Sequence, residues 1–424
     1  MNNSKTASIL KGEILGFADN ISAGLSKPEK KAIRELLLGM IGRGSCLVTE
    51  ISRGFKDTVR FKKVLERLSR HLSKPGLGEK LQLNYLNAVK RHIKKETLIC
   101  VDYTTIVKEY ARVQENLCRV YDCATNSTHN GFWQMEVSAI DSDRKKYLPL
   151  YSRLHSQRDE KFTSENSETY RTLDVLRDAL SDRGIYLFDR GFDRNRIYEK
   201  LINLKNRFIV RLKGNRHLLY GTRGKSKNVL KLAKKVRCQV RETVKFTRKG
   251  RQIVTQMDYG SRKVKLPSLP DVELNLVVIK NLRGEVKAIF LTNLACGSRK
   301  NLNMVVKGYF LRWTVEEIIR FRKQEFDLEN IRVRSWVKLQ NLTTLALISA
   351  GKVGLQSFNE LISRHILTFA KRANGIKRFS LYAVMEGISF LLTHFMITRK
   401  TIPKPCCNQL TLFEISHFSL LESL

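Results

Sequence analysis

From Leu98 onward the chain alternates two textures, and that alternation limits most narrowly what it can fold into. Residues 97–101 (T-L-I-C-V) are an apolar run of strand length that ends in Asp102. Residues 132–140 and 146–151 read as two further strands, joined by the turn Asp141-Ser142-Asp143. A helical segment follows at 165–180, closed by S-D-R-G. Ile185-Tyr186-Leu187-Phe188 is another apolar strand and again ends in a carboxylate, Asp189. Gly191 lets the chain turn sharply, after which 195–204 reads as helix and 207–212 as strand. Strands alternating with helices predict an α/β sheet covered on both faces. Residues 287–293 (K-A-I-F-L-T-N) return the chain to that sheet.

Helices flank this region. Residues 29–40, 47–53 and 60–72 carry apolar side chains at three- and four-residue spacing between basic faces. Gly42-Arg43-Gly44-Ser45 separates the first two segments and Gly54 closes the second. The pattern accommodates either a helix-turn-helix presenting a basic helix to DNA or a helical bundle with a solvated basic exterior. Beyond Arg334 the chain is mainly helical. Its apolar stretches at 342–348 and 379–392 are candidates for a subunit-pairing surface or for the core of one subunit. Residues 379–398 include Glu386 and His394, which favours a buried helix over a membrane span. Residues 1–30 are polar and lack the apolar run of a secretory signal.

Charge narrows the partners. The chain holds 78 Lys plus Arg against 40 Asp plus Glu, a formal net charge of +38. Such a protein binds polyanions, of which nucleic acid is the commonest. A hydrophobic fraction of 42% supports packed cores, so this is not the charge of a disordered tail. Residues 205–265 alone hold 20 Lys or Arg against only Glu242 and Asp258. From 238 to 278 apolar and polar residues alternate, which reads as a small basic β-subdomain inserted into the α/β fold. Cys46, Cys100, Cys118, Cys123, Cys238, Cys296, Cys406 and Cys407 form no C-x-x-C pair and sit by no histidine at zinc spacing. They read as free thiols in a reducing cytoplasm.

The chemistry concentrates in Y-F-L-R-W-T-V-E-E-I-I-R-F-R-K, from Tyr309 to Lys323. On a continuous helix, with Tyr309 at zero, Arg312 falls near about 300°, Glu316 near about 340° and Lys323 near about 320°. Glu317 points about 100° away from Glu316. One carboxylate flanked by two cations and a phenol suits a metal held next to a phosphate. Asp102 and Asp189, at the carboxyl ends of strands, stand where open α/β sheets place ligand-binding groups. Three such oxygen donors at one sheet edge would suit magnesium. Asp193 competes with Asp189, but its place suits the N-terminal cap of the next helix. Trp313, about 100° from Arg312, reads as a core residue. His129 and His155 flank strands, and two-metal chemistry needs neither.

These residues resemble a known family. Asp102 in V-D-Y-T-T, Asp189 in F-D-R-G-F-D and Glu316 in Y-x-x-R-x-x-x-E-x-x-x-x-x-x-K look like the acidic triad of bacterial insertion-sequence transposases. Those enzymes have a ribonuclease-H-like core, and the Tyr309, Arg312, Glu316, Lys323 spacing is similar to their Y-R-E-K signature. The resemblance runs from about residue 30 to 350. It implies a cut-and-paste DNA transposase, a DDE enzyme acting through two magnesium or manganese ions by hydrolysis and strand transfer. It further implies that Asp102, Asp189 and Glu316 are metal ligands and catalytic, and that Tyr309, Arg312 and Lys323 hold the transposon-end backbone. The implied partners are double-stranded DNA, as terminal inverted repeats and target, and a second copy of the chain in a synaptic complex. The implied setting is the bacterial cytoplasm, at the nucleoid. The organisation it implies is a helical DNA-binding region (1–95), a core in two parts (96–213 and 286–335), the basic insertion (214–285) and a helical C-terminal region (336–424). An inserted β-domain in such enzymes supports a hairpin intermediate, with an aromatic receiving a flipped base. Here that insertion contains no Trp, so either Phe246 or Tyr259 takes the role or the flipped base is held differently. A ribonuclease-H-like nuclease or resolvase, and a non-catalytic DNA-binding descendant of a transposase, are the competing readings.

Overall fold

The computed structural model describes residues 2–54, 59–122, 125–141, 146–222, 224–248, 251–371 and 380–397; the side chains of 244–253 and 396–397 also lie outside the described set. Cys123, Cys406, Cys407, the middle of the 141–143 turn and the Phe246 side chain therefore fall outside it.

The N-terminal region forms α1 (Asn3–Ile21), α2 (Lys27–Arg43), α3 (Val48–Arg53), α4 (Phe61–Leu72) and α5 (Leu77–Val89). Local chemistry sets the limits of α2. Glu29 Oε2 accepts from the Ser26 N–H at 2.8 Å, Pro28 sits in the first turn, and Gly44 ends the helix at φ +58°. Leu36, Leu37 and Met40 of α2 and Leu10 and Ile14 of α1 are fully buried. These helices pack on one another as a bundle.

The strands and helices that follow are β1 (Leu98–Val107), β2 (Cys118–Asp122), β3 (Ser127–Asp141), β4 (Lys146–His155), α6 (Glu165–Leu180), β5 (Ile185–Phe188), α7 (Asn195–Asn203) and β6 (Phe208–Arg211). Then come β7 (His217–Tyr220), β8 (Lys225–Asn228), α8 (Val229–Lys234), β9 (Val240–Arg248), β10 (Arg251–Leu266), β11 (Leu269–Asn281) and β12 (Val286–Thr292). The described chain ends in α9 (Arg299–Leu311), α10 (Thr314–Glu325), α11 (Trp336–Gln356), α12 (Glu360–Leu367) and α13 (Leu381–Ile397).

The fold is mixed α/β. β4 and β3 pair, β3 runs antiparallel to β1, and β1, β5 and β6 run parallel. An antiparallel three-strand unit joined through its first strand to two parallel strands has the strand order expected of a ribonuclease-H-like core. Two departures from the sequence reading stand out. The basic β-region is continuous with this sheet, because β12 pairs antiparallel with both β6 and β11. And β1 does not stop at Asp102 but runs on to Val107, held along its length by β3. The reason is that β3 is 15 residues long and offers a partner to every residue of β1.

Helix α11 lies along β4 and α5. Its Leu342, Leu345, Leu347 and Ile348 are fully buried within the one chain, as are Leu381 and Val384 of α13. These side chains therefore complete the core of the one chain. Among the described residues no helix is long and apolar enough to cross a membrane.

Candidate active site

The site begins where the parallel pairing of β1 and β5 ends. The last paired residues are Cys100 and Leu187, so the register carries on to bring Asp102 and Asp189 to the same level. Asp189 follows β5 directly and accepts from the Gly191 N–H at 2.7 Å. A Cβ on Gly191 would stand 2.9 Å from Asp189 Oδ1, so a side chain there would have to displace the carboxylate.

The helical segment from Tyr309 to Lys323 is not continuous. It breaks into α9 and α10, and the join is tightened by three-residue hydrogen bonds: Arg312 N–H to Tyr309 O (3.0 Å), Val315 N–H to Arg312 O (2.9 Å) and Glu316 N–H to Trp313 O (3.2 Å). The tight turn buries Arg312 and turns Trp313 outward, where it is 52% exposed. The expectation that Trp313 lies in the core is thus overturned.

Arg312 gathers the acids. Its Nη1 donates to Asp102 Oδ2 at 3.0 Å and its Nη2 to Glu316 Oε1 at 3.2 Å. Asp102 Oδ1 accepts from the Tyr103 N–H at 2.9 Å. Burial pushes the Asp102 carboxyl up to about 6; Arg312 opposes that rise, while the Asp189 and Glu316 carboxylates add to it. The two aspartates and Glu316 therefore share one electrostatic environment. Glu316 sits in the first turn of α10, partly open to solvent. Glu317 points away and pairs with Arg320.

Tyr309 is 5% exposed, with its ring centroid 4.4 Å from that of Phe290. Burial raises its pKa, and the nearby Arg312 and Arg211 guanidiniums work against that rise. Lys323, two turns along α10 from Glu316, does not reach the acids: its Nζ pairs at 3.0 Å with Oε1 of Glu329, which lies beyond the end of the helix. Asp193 is no helix cap. Its side chain is fully buried, with Arg216 Nε at 2.5 Å, the Tyr198 hydroxyl donating at 2.9 Å and the Lys213 N–H at 2.7 Å. It ties the end of β6 to α7 and takes no part in the acid cluster. Tyr259 is fully buried and its hydroxyl donates to Glu242 and Asn303, so it cannot receive a base. His155 is buried between Tyr103 and Phe162, and burial lowers its pKa.

One buried pair went unread in the sequence. Glu136, opposite Asp102 in the β1–β3 register, pairs with Arg322 of α10. Gln134 Nε2 donates to the same Glu136 oxygen at 2.5 Å, and Arg322 Nη2 donates to Thr343 O at 3.2 Å. The signal was there: Arg322 falls four residues after Ile318, on the apolar phase of α10 that also holds Val315 and Phe321.

Among the described residues no three His, Cys, Asp or Glu side chains stand close enough together to ligate one ion. Arg312 stands between Asp102 and Glu316 instead. The donor set nonetheless fits a hard divalent cation: all three are carboxylates, and Asp102 carries a charge penalty that a cation would relieve.

Residues 150–350 match a family model described as a transposase DDE domain, a span that includes Asp189 and Glu316. No curated protein matches the chain. Among solved structures it is similar to the piggyBac transposase in a synaptic complex with hairpin DNA, at 12% identity and a TM-score of 0.45, over 97% of this chain and 82% of that one.

Proposed function

We propose that this DDE-type DNA transposase, whose transposase DDE domain spans residues 150–350, moves an insertion sequence by cutting it out at its terminal inverted repeats and joining it to a target. The observation that supports this most is the Arg312 bridge. It joins a β1 aspartate to an α10 glutamate 214 positions later, beside the Asp189 that follows β5.

Asp102, Asp189 and Glu316 would hold the divalent ions on which this family depends, magnesium or manganese and two per site. Bound there, the ions supply activation of the attacking oxygen and stabilisation of the leaving oxygen at a phosphodiester. Arg312 orients Asp102 and Glu316 toward each other and offsets part of the cluster's negative charge before DNA arrives. With Lys323 and the Tyr309 hydroxyl, Arg312 contacts phosphates of the transposon end. The buried position of Arg312 and Asp102 keeps water from screening these charges, so each is worth more than it would be at the surface. Two ends must meet one target, so a homodimer with one site per end matches the symmetry of inverted repeats.

The test is to incubate the purified protein with linear DNA bearing both ends of its own element and a supercoiled target plasmid. Magnesium should yield the excised fragment and then joined product, and chelation should abolish both. Cutting without joining would make the protein a nuclease or resolvase. Binding without cutting would make it a DNA-binding descendant.

A further inference from the structure

Two of the elements that position the acids, β1 and α10, lead into a cavity that the acid site does not use. β1 runs on from Asp102 to Val107, about 17 Å at ~3.3 Å per residue, and the chain then enters residues 108–114. Helix α10 runs on from Glu316 through Lys323 to Glu325, and the chain then reaches residues 328–334. The two segments are stitched through their backbones. Lys108 Nζ donates to Glu329 O at 2.7 Å and Ile331 O at 2.8 Å, Gln114 Nε2 to Val333 O at 2.8 Å, and the Glu115 N–H to Arg334 O at 2.9 Å. Between them lies a cavity of about 490 Å³.

Its walls are unusual for a surface. Tyr110 is 89% exposed, so its ring adds almost nothing to the core. Arg112, Arg332 and Arg334 are exposed around it, and none has an ion-pair partner among the described residues. Of the two carboxylates present, Glu329 is already paired with Lys323. A bare aromatic face beside unpaired guanidiniums, over a space large enough for a base, suits a nucleotide whose base is free of its complement. Bases stack on such rings, and guanidiniums hold the phosphates.

We propose that this cavity binds an unpaired deoxynucleotide of the DNA strand that passes through the acid site, its base stacked on Tyr110 and its phosphates held by Arg112, Arg332 and Arg334. The identity of the strand rests on the transposase reading; the stacking chemistry does not. The strand could come from the flank outside the cut or from the transposon end itself.

The full-length protein in magnesium-free buffer tests this with three duplexes carrying the element's end: blunt, with a four-nucleotide overhang on the flank side, and with the same overhang on the interior side. Each overhang carries 2-aminopurine, and affinity is read by anisotropy. Wild type should bind one overhang duplex about 10-fold more tightly than the blunt one and quench its fluorescence. Tyr110→Ala should lose both the preference and the quenching while binding the blunt duplex as before, and Tyr110→Phe should keep both. Arg334→Ala should weaken overhang binding and shallow its slope of log K against log salt by about 0.7. Whichever overhang is preferred identifies the strand. Wild type that prefers neither overhang, or Tyr110→Ala that retains the preference, overturns the proposal. Overhang preference in a protein that fails to cut end-bearing DNA with magnesium would leave this site standing and remove the transposase reading.

Discussion

Asp102 ionises at a cost, because burial and two neighbouring acids push its carboxyl up to about 6 from the 3.8 of a free side chain. Between those values the native state holds a proton that the unfolded chain has released. Stability therefore falls as pH rises from about 4 to about 6, by about 3 kcal/mol in all, and the loss persists above that range. Urea unfolding of wild type and Asp102→Asn from pH 4 to 7, without divalent ions, should show the decline only in wild type. Parallel profiles would contradict the burial of this carboxylate. Trp313 makes the opposite case at the same scale. Being 52% exposed, it should tolerate Trp313→Ala with about 0.5 kcal/mol or less of stability lost. A loss of about 3 kcal/mol in thermal or urea unfolding would mean the indole is packed in the core after all.

At the scale of elements, α10 is held against β3 by one buried ion pair. Breaking it from one side leaves the other charge stranded, so Glu136→Gln should cost about 3 to 5 kcal/mol, whereas Glu136→Leu with Arg322→Leu should recover most of that. Unfolding free energies of the three proteins decide; a single variant within about 1 kcal/mol of wild type would show the pair to be dispensable. The elements were largely legible in the sequence, since strand-length apolar runs and three- to four-residue spacing place β5, α6, α7 and β12 close to where they lie. What periodicity could not show was the tight join at Arg312–Trp313. No Gly or Pro marks it, and it is set by Arg312 turning inward to reach Asp102, a contact 210 residues away. The extra length of β1 was hidden for the same reason: Asp102 looks like a strand end until β3 is there to pair it.

Across the whole molecule, the basic β-region and the ribonuclease-H-like strands share one sheet, and a sequence read segment by segment cannot show that two β-regions will join edge to edge. The charge of that region was legible and carries its own prediction. Lys231, Lys234 and Lys235 are exposed on and just after α8 and form no ion pair among the described residues. If they meet DNA, each Ala substitution should shallow the slope of log K against log salt by about 0.9. Unchanged slopes in binding assays from low to moderate salt would make that face merely solvated. Asp102, Asp189 and Glu316 stood out in the sequence as strand-end and helix-face acids, yet Arg312's place between Asp102 and Glu316 emerged only with the fold.

The proposed function makes Asp102, Asp189 and Glu316 one unit, with Arg312 between Asp102 and Glu316. Its most direct measurement is magnesium-dependent cleavage of end-bearing DNA by Asp102→Ala, Asp189→Ala, Glu316→Ala and Glu317→Ala, with DNA binding measured on the same preparations. The first three should bind and fail to cut, and Glu317→Ala should cut as wild type does. Near wild-type cutting by Glu316→Ala, beside an inactive Glu317→Ala, would contradict the account.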